Sequence, residues 1–162
     1  MAIDLNAFGQ NTAKGKLELT PNMNTFSAKV TAGSSVTLEP GMAVELDASS
    51  SGPTLTVKPV SSGLIFGFIP LVHKNNALGL TATTTDMIEV ASKNCVMVME
   101  AEEALSRGDY VKYNATYVTV EEADTAADEI VGIALDAAAA KGALLRVLIL
   151  APNAPAVVPA AG

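Results

Sequence analysis

Apolar and polar residues alternate along much of the chain in runs too short for helices. Val44 and Leu46 are separated by Glu45, and Val111 and Tyr113 by Lys112; denser apolar runs, "LIFGFIPL" and "NCVMVM", break at glycine or polar turns. Alternation with period two, punctuated by glycine, is the pattern of half-buried antiparallel strands. The chain therefore reads as mainly β. Two Ala- and Glu-rich stretches, "EEADTAADEI" and "DAAAAKGA", leave room for only one or two helical turns, with Asp136 as N-cap and Gly142 as the C-terminal stop of the second.

The pattern also repeats. "LEPGMAVELD" from Leu38 and "LSRGDYVKYN" from Leu105 both read Leu-x-x-Gly-x-x-Val-x-apolar, 67 positions apart. At the same offset upstream, Val30 aligns with Met97. Downstream, "LTVKPV" around Val57 aligns with "VTVEEA" around Val120, and "LIFGFIPL" with Gly67 aligns with "EIVGIALD" with Gly132. Four landmarks in one order predict two related β-units, at about 27–95 and 96–150, joined in a compact β-barrel or β-sandwich. Gly41 and Gly108 are assigned to turns, and Gly67 and Gly132 to bulges or bends where a sheet curls.

The ends differ in character. Residues 1–26 form an expected extended N-terminal arm, in which Phe8, Leu17, Leu19 and Phe26 fall at intervals too irregular for a helix face. Residues 151–162 form an expected Pro/Ala-rich C-terminal tail with Val157 and Val158. Side chains so spaced can be buried only singly, in pockets or along a strand edge supplied by another chain. These six residues are the candidate partner-binding set.

Composition narrows the function. Of 162 residues 49% are apolar but only 4% aromatic, with no Trp, so the core is aliphatic and the aromatic platforms typical of sugar sites are missing. A net charge of −7 opposes binding to a phosphate backbone, which depends on Lys and Arg. No run is apolar and long enough to predict a membrane span, and the N-terminus lacks a basic region followed by an apolar one; synthesis in a cytoplasm is expected. His73 is the only histidine and heads a polar loop, and Cys95 is the only cysteine, inside a strand-like run. Neither has the neighbours of a nucleophile, a catalytic base or a metal ligand set, so no catalysis, cofactor or metal is expected. The acidic clusters Glu100/Glu102/Glu103 and Glu121/Glu122/Asp124/Asp128/Glu129 lack calcium-loop spacing and read as a solvated surface. Arg107-Gly108-Asp109 and the sequon Asn114-Ala115-Thr116 lie inside the repeated phrase and are read as coincidental.

"LSRGDYVKYN" followed by "EIVGIALDAAAAKGALLRVLI" resembles the small capsid cement, or decoration, proteins of tailed bacteriophages, well over residues 96–150 and more loosely over 30–71. In those proteins a Gly-Asp-x-Val strand precedes an apolar-Gly-apolar strand, an Ala-rich turn and a final Val-rich strand. The resemblance implies a β-rich fold without catalysis and attachment to the outer capsid surface. It also implies homo-oligomers, a trimer or alternatively a dimer, clamping neighbouring major capsid proteins. A glycan-binding or adhesive β-module on a virion surface is the alternative.

Overall fold

The computed structural model describes residues 13–18, 20–31, 36–48, 53–61, 64–71, 80–82, 87–116, 118–125 and 127–154. Every regular element among them is a strand. The first unit is a closed barrel of β2 (Thr25–Val30), β5 (Thr56–Pro59), β4 (Ala43–Leu46), β6 (Ile65–Phe68) and β8 (Met87–Ala91), in that order around the wall. A two-stranded ribbon of β3 (Val36–Leu38) and β7 (Leu80–Ala82) accompanies it. The second unit is a six-stranded sheet in the order β1 (Leu17–Glu18), β9 (Val96–Glu100), β13 (Leu144–Ala154), β12 (Ile130–Ala134), β10 (Tyr110–Asn114) and β11 (Thr119–Glu122). This sheet curls until β11 returns to the end of β9, at the parallel bridge Ala101–Val120 and the 2.8 Å bond from Glu102 N–H to the Val120 carbonyl.

The units share one topology. β2, β4, β5, β6 and β8 correspond to β9, β10, β11, β12 and β13, down to individual hydrogen bonds. Gly41 N–H donates to the Ile69 carbonyl as Gly108 N–H donates to that of Ala134, and Val60 N–H donates to Ala43 as Ala123 N–H donates to Tyr110. Val44 faces Gly67, and Val111 faces Gly132. Both of these glycines lie against the neighbouring strand. A Cβ on Gly67 would sit 2.5 Å from the Ala91 carbonyl oxygen, and one on Gly132 would sit 2.6 Å from that of Leu148. Register shifts occur beside both, between Val44 and Glu45 and between Ile130 and Gly132. Gly41 and Gly108 occupy positive φ, +85° and +99°, where a side chain would clash with its own backbone.

The sequence alignment is corrected in the first strand. Phe26 faces Val90 and Met97 faces Val147, and these two valines touch the equivalent glycines. Met97 is therefore the counterpart of Phe26, and the counterpart of Val30 is Ala101, as the parallel pairings Val30–Val57 and Ala101–Val120 also require. The expected helical turns are likewise replaced among the described residues. Asp136 does not cap a helix; it accepts two bonds from the Arg146 guanidinium, at 2.7 and 2.8 Å. Ala138 pairs with Leu105.

The inner faces form two apolar clusters. One fills the barrel with Ala28, Val30, Leu38, Val44, Val57, Ile69 and Val90. The other lies within the second sheet and continues onto the barrel's outer face, where Ala43, Ile65, Phe68 and Ala91 join Met97, Met99, Val111 and Leu145. At that seam Tyr113 stands edge-on to Phe68, and its hydroxyl accepts the Ala43 N–H at 3.1 Å. Burial raises the Tyr113 phenol above its ordinary value.

Candidate interaction surface

Among the described residues the large exposed apolar side chains all belong to the first unit: Phe26, Leu46, Leu55, Leu64 and Met87. Four of them mark one end of the barrel. β2 and β5 run parallel and both start there, preceded or opened by Phe26 and Leu55; Leu64 precedes β6; and Leu46 ends the antiparallel β4. Directly opposite residues on neighbouring strands share a face. Phe26 lies opposite Val90 and Leu46 opposite Val57, both core residues, so both point inward and yet remain 39% and 46% exposed. Phe66 packs on Phe26 with ring centroids 5.3 Å apart. The result is an open, apolar-lined mouth.

The equivalent end of the second unit is covered. Leu17 on β1 lies opposite Met97, the counterpart of Phe26, and Met97 is fully buried. Tyr113, the counterpart of Leu46, reaches the barrel wall at Ala43 and Phe68. β1 is held by Gly15 N–H to the Val98 carbonyl at 2.7 Å, by Val98 N–H to the Lys16 carbonyl at 2.9 Å, and by Glu18 to Arg146 at 3.6 Å.

Of the six candidate partner-binding residues, Leu17 is thus half-buried against the chain's own core and Phe26 lines the mouth. Phe8, Leu19, Val157 and Val158 lie outside the described residues, as does His73. β13 continues to Ala154, into the stretch assigned to the tail. Leu46, Leu55 and Leu64 were not singled out from the sequence as interaction residues. Their one signal is that each adjoins a polar turn at a strand end.

Among the described residues the titratable groups singled out above are held by burial, hydrogen bonds and ion pairs. Cys95 is buried, its thiol donates to the Asn24 carbonyl at 3.3 Å, and desolvation raises its pKa, so the nucleophilic thiolate is disfavoured. The second acidic cluster gathers around Lys112, whose ammonium lies 3.2 Å from Asp128 and 3.7 Å from Glu121 and Asp124. Desolvation works against the Lys112 charge, but these carboxylates outweigh it and raise its pKa. The Thr125 N–H, followed by Lys112, lowers that of Asp128. In the first cluster Glu102 pairs with Lys141 and accepts the Thr119 hydroxyl. No group of three or more His, Cys, Asp or Glu among the described residues is placed to hold a metal ion. Asp109 accepts the Ser106 N–H within its own turn, and the Asn114 amide donates to Glu121.

In fold, the chain is similar to a phage head-fiber base. The match is to the crystal structure of the N base of head fiber gp8.5 in bacteriophage phi29, with a TM-score of 0.51 and 13% identity over 82% of this chain and 98% of that one. No protein-family model matches the chain. No curated protein matches it by sequence.

Proposed function

We propose that the protein is a structural component of a tailed-phage head, a cement protein that binds the outer capsid surface and holds neighbouring major capsid proteins together. The observation that carries this reading is the fold shared with nearly the whole of a head-fiber base. The apolar mouth supports it, because a contiguous uncovered apolar patch on a small acidic domain marks a contact surface. The protein works by binding and not by catalysis. It acts as a homo-oligomer, a trimer in preference to a dimer, since several weak contacts made together hold far more tightly than one.

The test uses heads of the encoding phage, purified from lysates in which this protein is not made. Added protein should co-sediment with them and raise the temperature at which they release DNA. Leu64→Asp changes a side chain that is 62% exposed and should weaken the attachment while leaving the fold intact. Wild-type protein that remains in the supernatant would refute the reading.

A further inference from the structure

The barrel has an open strand edge beside its mouth, and the second unit shows what such an edge takes. Asn24 exchanges bonds with the β8 side, through Ser92 N–H and the Lys93 carbonyl, whereas Lys29 N–H donates to Leu55 on the β5 side. Backbone groups alternate in direction along a strand, so those of Thr25 and Ser27 point toward β5. β5 meets β2 only from Lys29 onward, and among the described residues nothing pairs with Thr25–Ser27 on that side. The counterpart of Ser27 is Val98. Both polar backbone groups of Val98 are taken by Gly15 and Lys16 of the arm, and β1 continues antiparallel along β9. Among the described residues one edge carries a strand and the other does not, which matches Met97 being buried and Phe26 exposed.

Charge selects the occupant. Beside β1, Glu18 pairs with Arg146, which stands opposite Val98. The residue opposite Ser27 is Glu89, exposed and, among the described residues, without an ion pair. A strand carrying an acid, as β1 does, would meet a like charge there. Residues 1–12 and 155–162 contain no Lys or Arg side chain that could complement it.

We propose that Thr25–Ser27 is a strand-addition site for a short extended segment of another protein. That segment runs antiparallel to β2, with an apolar side chain over Phe26 and, at the next position toward its C-terminus, the place Glu18 holds on β1, a Lys or Arg that reaches Glu89. Main-chain bonds hold such a segment, and the two side chains give it specificity. Identifying that protein with the capsid rests on the function proposed above; the site itself does not.

The probe is a peptide of residues 13–20 with Glu18 replaced by Lys, compared with the unchanged peptide. Titrated into the full chain at low salt and followed by NMR, the lysine peptide should shift Phe26 and protect the Ser27 amide from exchange. It should bind about five- to tenfold more tightly than the unchanged peptide with Glu18, the range expected for exchanging a like-charged for an oppositely charged cross-strand neighbour. Glu89→Lys should reverse the preference. Ser27→Pro should abolish binding of both, because it removes an N–H that the β8 ladder does not use; should that variant lose its β signal, Phe26→Ser takes its place. Equal binding of both peptides, absence of binding at millimolar concentration, or shifts away from Phe26 would overturn the proposal. None of these readouts involves capsids, so the site and the capsid reading fail separately.

Discussion

Replacing Gly132 by alanine tests whether the close approach of β12 to β13 sets the geometry of the second unit. The added Cβ would lie 2.5 Å from Val147 Cγ1 and 2.6 Å from the Leu148 carbonyl oxygen. Val147 is β-branched and fully buried, so it has little rotamer freedom with which to yield. The carbonyl is backbone and can move only with its strand. Overpacking costs about 1–3 kcal/mol, and a clash with backbone belongs at the upper end. Alanine also restricts the unfolded chain, which returns about 0.4–1 kcal/mol. The net loss is about 2–2.6 kcal/mol, a large part of the roughly 5–15 kcal/mol of a typical domain. At this chain length it should lower the melting temperature by roughly 5–10 °C.

Urea unfolding followed by circular dichroism should show the midpoint falling with an unchanged slope. Gly67→Ala should behave alike, since its Cβ would meet the Ala91 carbonyl oxygen at 2.5 Å and Val90 Cγ1 at 2.6 Å. Gly108→Ala is the contrast: nothing lies within 4 Å, and only the φ of +99° opposes it, at about 1–2 kcal/mol. Gly132→Val adds two more methyl groups at the same place and should prevent folding. A Gly132→Ala protein as stable as wild type, or more stable than Gly108→Ala, would refute this account of why the glycine is there.

Two further outcomes are expected. Lys58→Glu and Glu45→Lys should each destabilise the barrel, the second more because Ser61 loses its acceptor, while the double exchange should recover about 1–3 kcal/mol of coupling in a double-mutant denaturation cycle. The Arg146 guanidinium bound to Asp136 holds that carboxyl below its ordinary 3.8, so this pair stabilises the fold above pH 3.8 and ceases to do so as the pH falls through the lowered value; Asp136→Asn should flatten that part of the acid-unfolding profile, by under about 1 kcal/mol for so exposed a pair.

Much of the architecture was legible because it rests on periodicity. Alternation at Val44/Leu46 and Val111/Tyr113 revealed strands, and the recurring Leu-x-x-Gly-x-x-Val phrase revealed two units of one design. The alignment of the first strand slipped for a physical reason. Val30 was matched to Met97 where Ala101 belongs, and a shift by an even number of residues leaves every side chain on its original face, so the apolar pattern cannot detect it. The helical turn expected at Asp136 is replaced because its carboxylate is taken by Arg146, whose guanidinium and backbone N–H both donate to it. The mouth was illegible because Leu46, Leu55 and Leu64 look like ordinary strand residues; their exposure depends on where neighbouring strands stop.

The two units carry the same device with its charges exchanged. Glu45 on β4 faces Lys58 on β5 at 3.1 Å, and the equivalent positions on β10 and β11 hold Lys112 and Glu121 at 3.7 Å. An exchange of sign at both members of a pair keeps the attraction and the strand register, so it alters the surface without altering the scaffold. Beside the open edge the change is of another kind: Arg146 has become Glu89 and Met97 has become Phe26, and in the described part of the chain no partner changes with them. Inside one unit such a pair of changes would leave an aromatic ring half in water and a carboxylate unpaired. A partner on another molecule that answers both changes would restore complementarity, and the exposed Phe26 edge is then one half of the interface proposed above.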